Sequence, residues 1–489
     1  MPLQESDMPL KYDRSLITPG IVHFGVGQFC RGHLFRYTQH LLELSAKESH
    51  QYDSWGIVGV NLMKSERDLE MWRDFQKQKC LYTVTLCPTK GPHTTELIGS
   101  MLDYVYAAEE QQKVIDYLAD PRIRIVSLTV TEGGYNIDET KDCFDLTNKA
   151  VQADLASPQL PHTTFGYIVE GLRLRRERKV EPFTVMSCDN LRHNGDVAKK
   201  AILGYAYARD PSLGKWIEQN VPFPNSMVDR ITPATTPAMR EHLNKLTGLA
   251  DLQPVIGEDF NQWVIENRFL ARPPWERVGQ ELSDDVPGYE NTKVRILNSS
   301  HLMLTFPGLL LGYRTVHEAL ADPDVYRLVE SSMDNDILPT LESPMDKVAY
   351  KNKVLSRFMN PAIADQLLRI AGDGCSKVQV FWTNNVVAVL KNKRDVSNFA
   401  FGLACFLEYL NGKDCKGQSF PVIEPKLDAS WKELIAKADL GAPLSLNAFD
   451  SWRNLDHAEL DAQIVKFRRL IKEKGPRAAM PFKNQASKI

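Results

Sequence analysis

The sequence has little that points to an extracellular, metal-binding or membrane protein. Its eight cysteines are scattered and none forms a Cys-x-x-Cys pair, so neither a disulfide framework nor a structural zinc site is indicated. No uninterrupted apolar run is long enough to span a bilayer. The best candidate, residues 301–313, is broken by Pro307 and Gly308. The first seven residues lack the basic and apolar regions of a signal peptide. These absences together predict a cytoplasmic protein.

An excess of charge of one sign is also missing. The chain carries 59 Lys and Arg against 62 Asp and Glu, a net charge of −3, which gives no reason to expect nucleic acid or a membrane surface as partner. Hydrophobic residues make up 43% and charged residues 25%, which is ordinary for a globular protein. At 489 residues the chain exceeds a typical single core, so two domains are expected.

The first part of the chain alternates between strand and helix patterns. Continuous apolar runs, typical of buried parallel strands, are followed by amphipathic helical patterns, and this rhythm predicts a doubly wound, Rossmann-like α/β sheet. The predicted strands are 21–26, 55–62, 124–131 and 183–187.

After about residue 285 the periodic segments are mainly helical. The predicted helices are 293–313, 324–333, 361–371, 395–410 and 455–474. We therefore expect a Rossmann-like dinucleotide-binding domain over residues 1–285 and a mainly α-helical substrate and catalytic domain over residues 286–489.

A glycine-containing loop lies between the first predicted strand and its helix. Gly25 and Gly27 would permit a tight turn and close approach of a pyrophosphate to the backbone N–H groups, and Arg31 could add a bidentate phosphate contact. The usual fingerprint has a third glycine where this chain has Cys30. An ordinary strand-to-helix turn is the alternative interpretation.

An acidic residue follows the second predicted strand. Glu66 could accept a hydrogen bond from a ribose 2′-hydroxyl, which would favour NAD. Its neighbours Lys64 and Arg67 could instead meet the 2′-phosphate of NADP. A solvated helix start is the alternative that involves no ligand.

Two further polar residues follow apolar strands, where α/β proteins bind ligands. Asn190 follows the strand at 183–187 and could donate to a substrate oxygen, or could simply form a turn. Asp229, in Met-Val-Asp-Arg-Ile-Thr-Pro, is open to the same two interpretations.

Three polar groups stand at the start of the most apolar helical segment. At 100° per residue, His301 lies about 80° and Asn298 about 140° round from Lys293, so all three could border one cavity. A desolvated lysine becomes a candidate general base near neutral pH. Each group could also be structural: a lysine with its amine in water, or a core histidine.

Two cations flank Gly372-Asp-Gly374. Arg369 and Lys377 lie on either side of a predicted helix C-terminus, where they could cap the helix dipole. They could alternatively anchor a polar, hydroxyl-rich or carboxylated substrate.

Taken together, several motifs resemble the polyol-specific long-chain dehydrogenase/reductase family, which includes mannitol 2-dehydrogenases and fructuronate and mannonate reductases. The motifs that carry the resemblance are 25–33, 127–135, 183–190, 227–233 and Lys293-x4-Asn298-x2-His301.

The resemblance implies a metal-independent hydride transfer with NAD, or less favourably NADP. It implies the following roles: Lys293 as general base, Asn190 and Asn298 as an oxyanion hole, His301 as an orienting group, Glu290 in proton exit, Asp229, Arg369 and Lys377 in substrate binding, and Gly25, Val26, Gly27, Phe29, Arg31 and Glu66 in cofactor binding.

The family also implies the substrate class and a monomer. Arg369 resembles the mannitol-type enzymes, which predicts interconversion of D-mannitol and D-fructose, whereas Asn61 and Leu62 resemble the uronate branch. Fructuronate, mannonate and D-arabinitol therefore remain alternative substrates. A more remote alternative is that the chain is a nucleotide-binding protein without catalytic activity. Departures such as Cys30, Ser299 and Cys375 lie near the phosphate loop and the expected substrate rim.

Overall fold

The structure is a computed structural model that describes residues 2–138, 141–425, 452 and 454–483. The chain divides into two compact units, Met1–Pro287 and Gly288–Ile489. The sequence predicts the boundary after residue 285. The observed division falls two residues later, within the helix Val286–Lys293. Of the predicted second domain, residues 426–451, 453 and 484–489 lie outside the described residues.

The first unit is built on a five-stranded sheet in which every pair of neighbours is parallel, in the order β5-β2-β1-β6-β9. The strands of the unit are β1 Pro19–Phe24, β2 Gly56–Asn61, β3 Tyr82–Cys87, β4 Thr94–Ile98, β5 Met101–Tyr106, β6 Ile125–Leu128, β7 Ile137–Asp138, β8 Cys143–Phe144, β9 Thr184–Ser187, β10 Ser226–Asp229, β11 Val255–Glu258, β12 Gln262–Ile265 and β13 Glu281–Leu282. The four predicted strands are thus present, and the edge strand β5 is one that the sequence interpretation missed.

The central strands are buried on both faces because consecutive side chains enter two different cores. Ile21, Ile57 and Ile125 belong to one apolar cluster, whereas Val22 and Val126 belong to the other. A strand that is buried on both faces needs apolar residues at every position, which is why these strands read as continuous apolar runs.

Helices connect the parallel strands. Those of the first unit are α1 Gln28–Gly32, α2 Leu34–Ser45, α3 Glu66–Lys77, α4 Gln111–Ala119, α5 Lys149–Ala156, α6 Thr164–Arg178, α7 Asn194–Arg209, α8 Pro211–Asn220 and α9 Pro237–Thr247. The chain runs outward from β1 through β2 to β5 and then returns to β6 on the other side. This reversal creates a topological switch point between β1 and β6, where Rossmann-like sheets bind dinucleotides.

Three small sheets complete the first unit. Their strand orders are β11-β3-β4, β10-β12-β13 and β7-β8.

The regular elements of the second unit are helices in the part of the chain that the structure describes. Its elements are α10 Val286–Lys293, a π-helical segment Val294–Asn298, α11 Ser299–Leu310, α12 Val316–Ala321, α13 Pro323–Ser331, a second π-helical segment Ser332–Ile337, α14 Lys347–Phe358, α15 Leu367–Ala371, α16 Gly374–Lys391, α17 Ser397–Tyr409, α18 Ala458–Lys474 and α19 Pro476–Ala479. All twelve residues of α11 are buried, so this helix forms the centre of the unit.

Several predicted helices differ from the observed ones. The predicted helix 293–313 is interrupted by the first π segment, and the predicted helix 361–371 is helical only over Leu367–Ala371, because the chain at Ala364 has a φ of 47° that a helix cannot contain. The long helices α14 and α16 were not predicted.

Cysteines occur in both units, and most of them are buried. All eight cysteines are free, and only Cys143 in the first unit and Cys415 in the second are exposed. No helix in the described part of the chain is both long and apolar enough to cross a membrane.

Candidate active site

The loop after β1 makes a turn that only glycine accommodates. Gly25 has a φ of +90°, and a Cβ placed on it would lie 2.2 Å from the carbonyl oxygen of Thr129. The Thr129 hydroxyl also donates to the Gly25 carbonyl at 2.7 Å. The loop after β1 is therefore held directly against the loop after β6, at the switch point.

The next part of this loop leaves room for a ligand. Gly27 is exposed, and a Cβ there would meet only the Gly25 carbonyl oxygen, at 3.9 Å. The Cys30 thiol, which stands where the fingerprint has a third glycine, accepts a hydrogen bond from the Gly27 N–H at 3.2 Å. Burial raises the pKa of Cys30 to about 11, so this residue stays a neutral thiol. The open backbone beside Gly27 fits a dinucleotide phosphate.

The remaining loop residues differ in exposure. Val26 is buried in the apolar cluster of β1, and Phe29 is partly buried and stacks on His33 with ring centroids 4.8 Å apart.

Arg31 does not extend toward the space beside the loop. Its side chain is buried; Nε donates to the Gly27 carbonyl at 3.1 Å and Nη1 to the Gln253 carbonyl at 2.6 Å. Its guanidinium also lies over the rings of Phe75 and Tyr82. Arg31 therefore stabilises the loop from inside the unit, and its phosphate contact stays a prediction.

A buried histidine links β1 to β6 just below the switch point. His23 Nδ1 lies 2.7 Å from the Ser127 hydroxyl and Nε2 lies 2.9 Å from the Thr129 hydroxyl. Burial lowers the pKa of His23 to about 3, so the ring is neutral and acts as a fixed hydrogen-bonding link.

Asp189 organises the loop that follows β6. Its carboxylate accepts hydrogen bonds from the Val130 N–H at 3.1 Å, the Thr131 N–H at 2.9 Å and the Tyr135 hydroxyl at 2.6 Å. Thr131 has a φ of 64°, an outlier for a β-branched residue that these bonds hold in place. The sequence interpretation passed over Asp189, although an acid directly after a buried strand was a usable signal.

Glu66 is exposed at the first position of α3. Asp68, two residues later, is engaged locally, since its carboxylate accepts from the Ser65 N–H at 3.3 Å and from Asn61 Nδ2 at 3.1 Å. Lys64 and Arg67 are exposed beside Glu66. The loop after β2 thus presents one acid and two cations to solvent.

Two predicted substrate contacts belong to the first unit. Asn190 is exposed and lies just beyond the carboxyl end of β9, on the same sheet edge as the glycine loop. Asp229 is buried and is the last residue of β10. This strand does not belong to the five-stranded sheet but to a small sheet, in which Asp229 is in register with Gln262 of β12.

The second unit carries the predicted base. Lys293 is the last residue of α10 and is 7% exposed, and Glu290, one turn earlier, is 6% exposed. Residues three apart on a helix are neighbours on one face, so a buried carboxyl group and a buried amine share a face of α10.

Directly after Lys293 the helix widens into a π turn. The Ser299 N–H bonds to the Val294 carbonyl, five residues back. The angles predicted from 100° per residue therefore do not hold across this segment, since a π turn contains an additional residue. Such single-turn π segments are frequent at functional sites.

Asn298 and His301 follow within and just after the π turn. Asn298 is partly buried, and its Oδ1 has no hydrogen-bond partner among the described residues. His301 is 9% exposed, and its ring stacks on Phe358 of α14 with centroids 4.2 Å apart.

Arg369 and Lys377 are both engaged by their surroundings. Arg369 forms a bidentate ion pair with Asp365 at 2.6 and 2.8 Å, and its side chain is 63% exposed. Burial acts to raise the pKa of Asp365, but the hydrogen bonds and the positive charge of Arg369 hold it below its usual value. Lys377 donates to the Ile370 carbonyl at 2.8 Å, so it caps the C-terminus of α15.

No group of three or more His, Cys, Asp or Glu side chains among the described residues is arranged to hold a metal ion. The order of the parallel strands, the glycine loop at the switch point and the open backbone beside Gly27 define a protein with a Rossmann dinucleotide-binding domain.

Comparison with known proteins identifies the family to which the chain belongs. A family model described as the mannitol dehydrogenase Rossmann domain matches residues 19–277, and one described as the mannitol dehydrogenase C-terminal domain matches residues 285–467. The chain belongs to the mannitol dehydrogenase family and is an oxidoreductase of that family.

Similar proteins with named activities match nearly the whole chain. A polyol:NADP oxidoreductase of Gluconobacter oxydans is 49% identical over 96% of each chain. A crystal structure of a D-sorbitol dehydrogenase superimposes with a TM-score of 0.92 at 46% identity, covering 98% of this chain and 100% of that one. Pseudomonas fluorescens mannitol 2-dehydrogenase, in a ternary complex with NAD and D-mannitol, gives a TM-score of 0.85 at 35% identity over 100% of both chains.

Proposed function

We propose that the protein interconverts D-mannitol and D-fructose by metal-independent hydride transfer, with Lys293 as general base. The observation that carries the proposal is the burial of Lys293 beside Glu290 and immediately before a π turn. Burying an ammonium ion is costly, which acts toward the neutral amine that a base requires, while an ionised Glu290 acts in the opposite direction.

Each neighbour of Lys293 along the chain has a role in this proposal. Lys293 takes the proton of the substrate hydroxyl, and Glu290 passes protons from the lysine to solvent. Asn298 stabilises the developing alkoxide through its carboxamide, the role that the family resemblance also gives to Asn190. His301, held by stacking on Phe358, orients the substrate oxygen. The nicotinamide cofactor supplies the hydride acceptor when it is bound.

The charges of the second unit favour a neutral substrate over a uronate. Recognition of a carboxylate calls for a cation whose charge is not already balanced by another carboxylate. Arg369 is already neutralised by Asp365, and Lys377 donates to helix carbonyls. The carboxylated substrates fructuronate and mannonate are therefore less favoured than an uncharged polyol. D-arabinitol is uncharged and stays an alternative to mannitol.

D-sorbitol is the second candidate. Reduction of D-fructose from one face of the carbonyl gives mannitol, and from the other face gives sorbitol. The similarity to a D-sorbitol dehydrogenase, with a TM-score of 0.92, favours this possibility. The distinction depends only on the face that the bound ketose presents to the cofactor.

We propose that the cofactor site accepts both NAD and NADP, with Glu66 as the discriminating residue. Glu66 favours the 2′-hydroxyl of NAD, whereas the exposed Lys64 and Arg67 favour the 2′-phosphate of NADP. The similarity to a polyol:NADP oxidoreductase also supports the use of NADP. The ratio of kcat/KM for NADPH to that for NADH should therefore rise in Glu66→Gln. An unchanged ratio would remove Glu66 from this role.

A substrate panel tests the activity. Oxidation of mannitol, sorbitol and arabinitol and reduction of fructose and fructuronate are followed by the absorbance of NADH or NADPH. We expect fructose reduction with mannitol as product, and undiminished turnover after chelation. No turnover with any substrate would refute the enzyme proposal, a sorbitol product would select the second candidate, and faster reduction of fructuronate would select the uronate branch.

The lysine assignment has its own test. Lys293→Ala should lower kcat by about 10² to 10⁴ while NADH still binds. The control is Lys351→Ala, since Lys351 is also a buried lysine of the second unit, paired with Asp334 at 2.8 Å. Full activity in Lys293→Ala, or an equal loss in both variants, would show that Lys293 is not the base.

A further inference from the structure

The π segment Val294–Asn298 leaves one backbone carbonyl without its helical partner. In an α-helix the Arg295 carbonyl would accept from the N–H four residues later, that of Ser299. Here the Ser299 N–H instead bonds to the Val294 and Ile296 carbonyls. A buried carbonyl in this position needs a substitute donor, because an unsatisfied one destabilises the fold by about 1–3 kcal/mol.

Asn385 of α16 supplies that donor. Its Nδ2 donates to the Arg295 carbonyl at 3.1 Å and to the Ser299 hydroxyl oxygen at 2.9 Å, and its Oδ1 accepts from Arg295 Nε at 2.7 Å. One turn earlier on α16, Trp382 Nε1 donates to the Ser299 carbonyl at 3.0 Å. Asn385 is fully buried, so no water competes for these bonds.

The other end of Arg295 is fixed as well. Its Nη1 and Nη2 donate to the carbonyl and the hydroxyl oxygen of Thr340 at 2.9 and 2.6 Å. Arg295 thus connects the π segment to the chain just after the second π segment, and Asn385 holds both its side chain and its carbonyl.

We propose that Asn385 is a positioning residue that selects the π turn and thereby sets where Asn298 and His301 lie relative to Lys293. Without the turn's additional residue, everything after it would rotate by roughly 100° about the helix axis. The directions of Asn298 and His301 relative to Lys293 would then change by the same angle. This inference deepens the proposed function and rests on it for its catalytic consequence.

The test compares Asn385→Leu, which keeps the approximate size and removes all three bonds, with Asn398→Leu. Asn398 is also a buried asparagine of the second unit, and it bonds to Asp336 Oδ2 at 2.9 Å in the second π segment, which carries none of the assigned catalytic groups. We expect Asn385→Leu to lower kcat by about 10² and to change the pH profile of kcat/KM, with NADH affinity unchanged. Asn398→Leu should lower the thermal midpoint without altering the profile.

Two results would overturn the inference. One is a pH profile and kcat in Asn385→Leu that match those of Asn398→Leu, which would make Asn385 merely structural. The other is a crystal structure of Asn385→Leu in which Val294–Asn298 is still π-helical, a readout that needs no activity. Failure of the proposed function is distinguishable, because it appears in the wild-type protein as no turnover of any polyol or ketose.

Discussion

The carboxylate of Asp189 should control cofactor affinity without touching the cofactor. In Asp189→Asn one carboxylate oxygen becomes an NH2 group, so either the Val130 N–H or the Thr131 N–H faces a donor in place of an acceptor. Leaving such a group unsatisfied costs about 1–3 kcal/mol. The strain at Thr131, with its φ of 64°, is then no longer opposed, and the loop after β6 opens.

The size of the effect follows from that cost. If the opened loop cannot bind the dinucleotide, a cost of 1–3 kcal/mol weakens NADH binding about 5- to 150-fold. Fluorescence titration with NADH measures this directly, and urea denaturation separates it from a loss of global stability. Because the loop is local to the switch point, the affinity should change more than the unfolding midpoint does.

A second aspartate of the first unit provides the control. Asp145 accepts from the N–H and the hydroxyl of Thr147 at 2.8 and 2.6 Å in a surface turn, and Asp145→Asn should leave NADH binding unchanged. An unaltered Kd in Asp189→Asn would refute the reasoning, as would an equal loss in the two variants.

Two further predictions concern stability. Gly25→Ala should destabilise by about 2–5 kcal/mol, because it combines positive-φ strain with a clash against Thr129. Gly91→Ala, at a φ of +104° with nothing within 4 Å, isolates the strain alone and should cost less in urea denaturation; equal costs would contradict the clash. Burial raises the pKa of Asp336 to about 7, above about 3.9 in the unfolded chain, so the folded state binds the proton more tightly. That stabilisation is present at low pH and is lost as the pH rises through 7. Asp336→Asn should therefore raise the free energy of unfolding at pH 8 by up to about 4 kcal/mol, and a variant no more stable than wild type at pH 8 would contradict this.

The parallel sheet could be predicted because burial on both faces leaves a direct trace in the sequence. Ile21 and Val22 enter different cores, so β1 appears in the sequence as an apolar run in which His23 is the single polar residue. Strand β5 was missed because it lies at the sheet edge, where Leu102 and Asp103 are only partly buried, and its pattern is therefore mixed.

For the candidate site, residue types could be predicted but not their surroundings. Lys293, Asn298 and His301 stand out in the sequence as polar groups beside an apolar helix, yet the π turn between them has the same hydrophobic pattern as an α-helical turn. The surroundings of Arg31 could not be predicted, since the Gln253 carbonyl that accepts a hydrogen bond from it lies 222 residues away. Contacts of that separation depend on the tertiary fold and leave no local pattern.

The distribution of the thiols has a practical consequence for studying motion. Six of the eight cysteines are buried, and burial raises the pKa of several of them, including Cys188 and Cys375, which slows their reaction with maleimides or spin labels. Cys143 and Cys415 are exposed, one in each unit. The natural sequence can therefore carry a donor and an acceptor dye without any substitution. The distance between the dyes, followed as cofactor and polyol are added, would report whether the two units move during turnover.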